Sequence, residues 1–174
     1  MADKNFESYA NIDSVTVSGR NIMPPDDSYN DTLKFSNAKN ITVSDCTIHG
    51  GSEDCIDMNN LTSIAIVKNC HLYSGGQYCS TIKGGTTNIR WTDVVIAKHG
   101  STYDVDLGNW SDQSNDRTTG IVLENVTSLD GNPVTCRVLW ADKPQVIGGN
   151  VKVTVIPKIF VIIYRFLRSH NWVK

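Results

Sequence analysis

Polar and apolar positions repeat in register along most of this 174-residue chain. Four segments alternate apolar and polar residues and then skip at a single Asp or Asn; they are 40–48, 64–72, 88–96 and 120–128. The skipped positions are Asp45, Asn69, Asp93 and Asn125, which are 24, 24 and 32 residues apart. Alternation with period two predicts half-buried strands, and a recurrence of this length predicts a repeat architecture.

The pattern predicts three strands in each repeat. Two of them flank the Asp or Asn, which is suited to a corner because these residues tolerate the left-handed backbone conformation. A third strand precedes each pair, at Leu33–Phe35, Ile56–Met58, Ser80–Ile82 and Val105–Leu107. The sequence therefore predicts an all-β fold, a parallel β-helix of about 5–6 coils over residues 1–150. Residues 151–174 are predicted to form a short C-terminal cap or an oligomerisation segment.

Composition and charge argue against nucleic-acid binding and against a membrane-spanning segment. A formal net charge of −2 argues against a nucleic-acid footprint, which needs a concentrated basic surface. The longest apolar stretch, Val153–Leu167, is too short and too interrupted to span a bilayer, so no membrane insertion is expected. The first residues do not resemble a secretory signal, which favours a cytoplasmic location unless another setting is indicated.

The five cysteines are spaced like the repeat. Cys46 and Cys70 are 24 residues apart, and so are Cys55 and Cys79, which places each pair on adjacent coils. Neighbouring parallel strands are separated by a distance that a disulfide accepts. Both stacked thiols and disulfides therefore remain open for these two pairs, although an odd number of cysteines leaves at least one unpaired.

The repeat pattern over about residues 10–150 resembles the right-handed parallel β-helix proteins of the pectate-lyase-like superfamily. It is also similar to the short β-helices of phage tailspikes and tail fibres. The resemblance implies a right-handed single-stranded β-helix. It further implies a homotrimeric phage tail protein in the virion that binds surface polysaccharide or serves a structural role.

One short motif points to chemistry. The stretch 52–57 resembles the Gly-Asp-Asp-Cys-Ile element of polygalacturonases, in which aspartates protonate the glycosidic oxygen and activate water. By position, Glu53 corresponds to the first acid of that element and Asp54 to the second. The alternative function implied by this resemblance is a polysaccharide-degrading hydrolase or lyase, and the sequence leaves open whether the chain is an enzyme.

The third strand of each coil is expected to place alternate side chains on a flat outer face. Asp57 and Asp106, two coils apart in this register, would then lie about 9–10 Å from each other. Inverting glycosidases separate their two carboxyl groups by about 6.5–9.5 Å. The candidate catalytic residues are therefore Asp54, Asp57 and Asp106. The competing interpretation is that these acids are solvated, or that they bond to turn amides.

Residues around this face are candidates for ligand contact, because aromatic rings can stack on a sugar and turn residues border the strands. They are Glu53, Tyr78, Tyr103, Asp104 and Trp110, the last in the insertion that lengthens the fourth repeat. Several oxygen ligands for Ca²⁺ are offered by Glu53, Asp54, Asp57, Asp104 and Asp106. The resemblance to pectate lyases, which use calcium with a basic residue that abstracts a proton, implies Lys34 or Lys83 as that base. Otherwise no cofactor is expected, and no other metal is indicated.

Overall fold

The computed structural model describes residues 3–4, 6–24, 30–74, 76–108 and 117–169, and these form a parallel β-solenoid of about five turns. Its strands belong to three sheets in which every pairing is parallel, and each strand pairs with the equivalent strand of the adjacent coil. The predicted all-β parallel β-helix is confirmed, and its C-terminal segment contains a short helix.

The three sheets run the length of the solenoid. The seven-stranded sheet, called the site sheet below, contains Glu7–Ala10, Leu33–Ser36, Ile56–Asn59, Ser80–Ile82, Val105–Leu107, Val134–Val138 and Val151–Val155. The second sheet contains Asp13–Ser18, Lys39–Ser44, Ser63–Lys68, Thr87–Thr92, Thr119–Glu124 and Gln145–Ile147. The third sheet contains Asp3–Lys4, Asn21–Met23, Thr47–His49, His71–Tyr73, Val95–Lys98 and Thr127–Ser128.

The four predicted corners adopt the left-handed conformation. Asp45, Asn69, Asp93 and Asn125 have φ values of 56°, 49°, 53° and 50°. Their side chains also join the coils, since Asn69 Nδ2 donates to Asp45 Oδ1 at 3.1 Å. Asn125 Nδ2 donates to Asp93 Oδ1 at the same distance of 3.1 Å. The 32-residue step therefore leaves the corner contact between its two coils intact.

The core consists of columns of apolar side chains inside the solenoid. One predicted column, Ile41, Ala65, Ile89 and Ile121, is paired in that order and is buried throughout. The next column contains Val43, Val67, Trp91 and Leu123, which are also buried. All five cysteines are buried free thiols, so neither predicted pair is bonded. The thiols therefore pack as small apolar groups.

The C-terminal part of the chain combines strand and helix. Val151–Val155 lies in the segment predicted as a cap, and it pairs with Val134–Val138 as the last strand of the site sheet. The C-terminal helix, Lys158–Ser169, follows and buries Val161. Among the described residues, no helix has the length and apolar character that crossing a bilayer requires.

Candidate functional site

An open cleft of about 170 Å³ lies on the outer side of the site sheet, where three adjacent coils enter their strands. Residues before the strands and on their outer face form its wall. They are Asp31, Lys34, Ser52, Glu53, Asp54, Gln77, Tyr78, Thr81 and Lys83. The cleft thus brings together acids, ammonium groups and one phenol from separate parts of the sequence, and it is the candidate site.

Asp57 lies beneath the cleft between two lysines. Its side chain is fully buried, and Lys34 Nζ and Lys83 Nζ are each 3.2 Å from one of its oxygens. Asn59 Nδ2 donates to Oδ2 at 2.6 Å. Burial raises the pKa of the Asp57 carboxyl, while the two ammonium groups oppose that rise. Asp57 therefore anchors the two lysines of the cleft and does not face solvent.

Asp54 is the acid of the cleft with the most distinctive environment. Burial raises its pKa to about 8, and the negative charges of Asp31 and Asp57 act in the same direction. A hydrogen bond from Thr81 and the charge of Lys83 oppose the rise. The carboxyl group is consequently protonated at neutral pH and can donate a proton into the cleft.

Asp31 is a cleft residue that the sequence analysis missed. Its carboxylate accepts a hydrogen bond from Lys34 Nζ at 2.9 Å, and its side chain is 7% exposed. Because Leu33 pairs with Ile56, Asp31 and Asp54 occupy the same position two residues before adjacent strands. That shared position is the signal that would have identified it once the strand register was known.

Asp106 lies on the same outer column as Asp57 but belongs to a different cluster. Thr81 is the residue between them in the pairing order, and Asp106 in turn pairs with Arg137. Arg137 Nε and Nη2 donate to the two Asp106 oxygens at 2.9 and 2.7 Å. Since Asp106 is fully buried, this two-point ion pair compensates a charge that water cannot reach.

Two tyrosines hold Arg137 in place. Its guanidinium carbon lies 5.6 Å from the centre of the Tyr78 ring and 5.0 Å from that of Tyr103. Arg137 Nη2 also donates to the Tyr78 hydroxyl at 3.0 Å. These are cation–π contacts, and Tyr78 therefore connects the Arg137 cluster to the cleft. Arg137 was not foreseen from the sequence, although its pairing with Asp106 follows from the strand register.

A third cluster forms around Asp104. This fully buried carboxylate accepts hydrogen bonds from Thr135 N at 2.8 Å and from His99 Nδ1 at 2.9 Å. The other ring nitrogen, His99 Nε2, lies 3.1 Å from Asp130 Oδ1. Burial lowers the pKa of His99, but the hydrogen bonds to Asp104 and Asp130 outweigh it and raise the pKa above its usual value. His99 thus links the buried Asp104 carboxylate to the exposed carboxylate of Asp130.

The structure separates the predicted site residues into these clusters. Glu53 is exposed and, with Asp54 and Tyr78, lines the cleft. Asp57 lies below it, whereas Asp104 and Asp106 are outside its wall and bonded elsewhere. Asp57 and Asp106 were expected on an open face, but both are fully buried, Asp57 against Lys34 and Lys83 and Asp106 against Arg137. Trp110 lies outside the described residues.

The acids of the site sheet are distributed among separate ion pairs. Within the described ranges, no three His, Cys, Asp or Glu side chains converge in a manner suited to holding a metal ion. The acids expected to bind Ca²⁺ are instead divided between Asp57 with its lysines, Asp106 with Arg137 and Asp104 with His99. Calcium is therefore not used in the function proposed below.

Comparisons with protein-family models, with curated proteins and with solved structures each returned no match. The geometry of the cleft and of its neighbouring clusters is therefore the basis for assigning a function.

We predict that Arg137→Met will destabilise the fold by about 3–5 kcal/mol, because it leaves the buried Asp106 carboxylate without its cation. Urea unfolding followed by circular dichroism measures the change. The double variant Asp106→Asn/Arg137→Met should recover much of the lost free energy of unfolding, because it no longer buries an unpaired carboxylate.

Arg90→Met is the matched control for Arg137→Met. Arg90 Nη2 lies 2.6 Å from Glu124 Oε2 on the exposed outer side of the second sheet. Losing this exposed pair should lower the free energy of unfolding far less. Equal losses of stability for the two variants would contradict the role assigned to the Arg137–Asp106 pair.

We also predict a pH-dependent contribution of His99 to stability. Because its pKa is raised in the folded state, the contribution is complete below the ordinary value of 6.5 and is lost as pH rises through the folded-state pKa. The free energy of unfolding of wild type and His99→Gln, measured from pH 5 to 9, should differ most at the acidic end. His71→Gln, at an exposed position, is the control. A difference that grows towards alkaline pH would refute the assignment.

Proposed function

We propose that the chain binds a polysaccharide in the cleft of the site sheet. The observation that carries the proposal is the arrangement of acids, ammonium groups and a tyrosine across three stacked coils. Lys34 is held by Asp31 and Asp57, and Lys83 by Asp57, so these donors are oriented before a ligand arrives. Oriented polar groups beside an aromatic ring suit the hydroxyl groups and the apolar face of a sugar.

The repeating architecture favours a polymer over a small ligand. Equivalent positions recur at each coil, about 4.8 Å apart along the solenoid, so an elongated ligand can contact several coils at once. The resemblance of the repeat to the β-helices of phage tailspikes and tail fibres supports a surface polysaccharide as that ligand. A location in a phage tail and a homotrimeric assembly belong to the same proposal, and they rest on this resemblance alone.

Binding is tested by titrating the protein with a panel of acidic and neutral polysaccharides in a calorimeter. Glu53→Gln and Lys34→Met each remove a charged group of the cleft, and each should weaken binding by about fivefold or more. Lys39→Met is the matched control, because Lys39 forms an exposed ion pair with Asp13 outside the cleft.

Equal affinities for wild type, Glu53→Gln and Lys34→Met would show that the polysaccharide does not bind in the cleft. If the whole panel fails to bind, the polysaccharide proposal itself fails. Thermal unfolding of each variant distinguishes a lost contact from a lost fold.

A second candidate function, hydrolysis of the bound glycan, is favoured by the protonated state of Asp54. Asp54 would donate its proton to the glycosidic oxygen as the bond to the anomeric carbon breaks. Asp31, on the same wall, would accept a proton from the water that attacks that carbon. The products are two hydroxyl ends, and both carboxyl groups regain their starting states by proton exchange with solvent.

The hydrolysis hypothesis predicts that Asp54→Asn reduces turnover by about 10²–10⁴-fold while leaving polysaccharide binding intact. Wild-type activity should also fall as pH rises through about 8, where Asp54 loses its proton. New reducing ends measure turnover, and Asp13→Asn, an exposed acid of the second sheet, is the control. Binding without any new reducing ends would leave the chain a binding protein only.

A further inference from the structure

The C-terminal helix leaves most of its large apolar side chains in solvent. Ile159, Phe160, Ile162 and Ile163 are between 45% and 57% exposed, whereas Val161 is fully buried. Val155, in the strand that precedes the helix, is also 51% exposed. A soluble domain rarely leaves so many neighbouring large apolar groups uncovered unless the surface has a partner.

The charge of the helix indicates the nature of that partner. Its sequence contains Lys158, Arg165 and Arg168 but no Asp or Glu, although the chain as a whole carries a net charge of −2. The helix thus combines exposed apolar side chains with basic residues and no acidic one. An apolar face combined with basic residues is typical of helices that lie at a lipid–water interface.

We propose that the C-terminal helix docks on the surface of a membrane containing anionic lipid. Its 12 residues are about 18 Å long, which is too short to cross a bilayer but sufficient to lie along its surface. Apolar side chains enter the boundary between headgroups and acyl chains, and the basic side chains attract the negative headgroups. This inference is independent of the cleft and of the function proposed for it.

A second copy of the chain fits the helix less well. Two such helices in contact would bring together basic residues with no acidic residue from either helix to offset them. An anionic lipid surface satisfies the apolar and the cationic character at the same time. Because the helix follows Val151–Val155, the last strand of the site sheet, the docked end is the C-terminal end of the solenoid.

Co-sedimentation with vesicles tests the proposal using the whole chain. We expect binding to vesicles of equal parts phosphatidylcholine and phosphatidylglycerol, little binding to phosphatidylcholine alone, and weaker binding at high salt. The double variant Phe160→Ser/Ile163→Ser should lose binding by on the order of tenfold or more. Arg168→Gln should lose about fivefold, and only towards the anionic vesicles.

The matched control replaces two exposed apolar residues away from the helix. Ile66→Ser/Leu129→Ser changes side chains that are 42% and 61% exposed, and it should bind vesicles like the wild type. All four altered apolar positions are exposed, so thermal unfolding should change little in either double variant.

Three results would overturn the proposal. The first is the absence of binding to anionic vesicles, and the second is equal binding by wild type and Phe160→Ser/Ile163→Ser. The third is self-association in sedimentation velocity that the same double substitution abolishes, since a second copy would then cover the helix.

Discussion

The stacking of each coil on the next is the interaction on which the rest of this structure depends. A single coil has no second layer against which to bury its inner face, so the core exists only between coils. Parallel pairing aligns Ile41, Ala65 and Ile89 in one inward column. Because side chains alternate with period two, a slip of one residue would exchange the inner and outer faces of a strand. The Asp and Asn corners, bonded from coil to coil, oppose such a slip.

The same register imposes an electrostatic constraint on the outer side of the site sheet. It places Lys34, Asp57, Asp106 and Arg137 in one column, with Thr81 between the two acids. Buried carboxylates are tolerated only when they are paired or protonated. Asp57 and Asp106 are paired with cations, whereas Asp54 is kept protonated. Because neighbouring acids differ in this way, the cleft contains a proton donor beside a fixed network of ion pairs.

Hydrophobic periodicity was sufficient to predict the coil, its corners and its inner columns, because burial in a repeat is encoded by short-range alternation. It could not predict how deeply the outer acids are buried, since the cations that pair with Asp57 and Asp106 come from neighbouring coils and are not encoded by that alternation. Asp31 was missed because it precedes its strand and resembles an ordinary turn residue. Arg137 was missed because its coil lacks the Asp or Asn corner that marks the four repeats. Both become evident only when the strand pairing aligns them with Asp54 and Asp106.

The buried thiols have a consequence for how this solenoid can be observed. Cys46, Cys70, Cys79 and Cys136 lie in four different coils, and all are inaccessible in the folded state. Coils of a solenoid contact only their neighbours, so they can open separately, from the ends inward. The rate at which each thiol reacts with an added alkylating reagent therefore measures the opening of its own coil. The native chain contains internal reporters for resolving its unfolding coil by coil, without any introduced label.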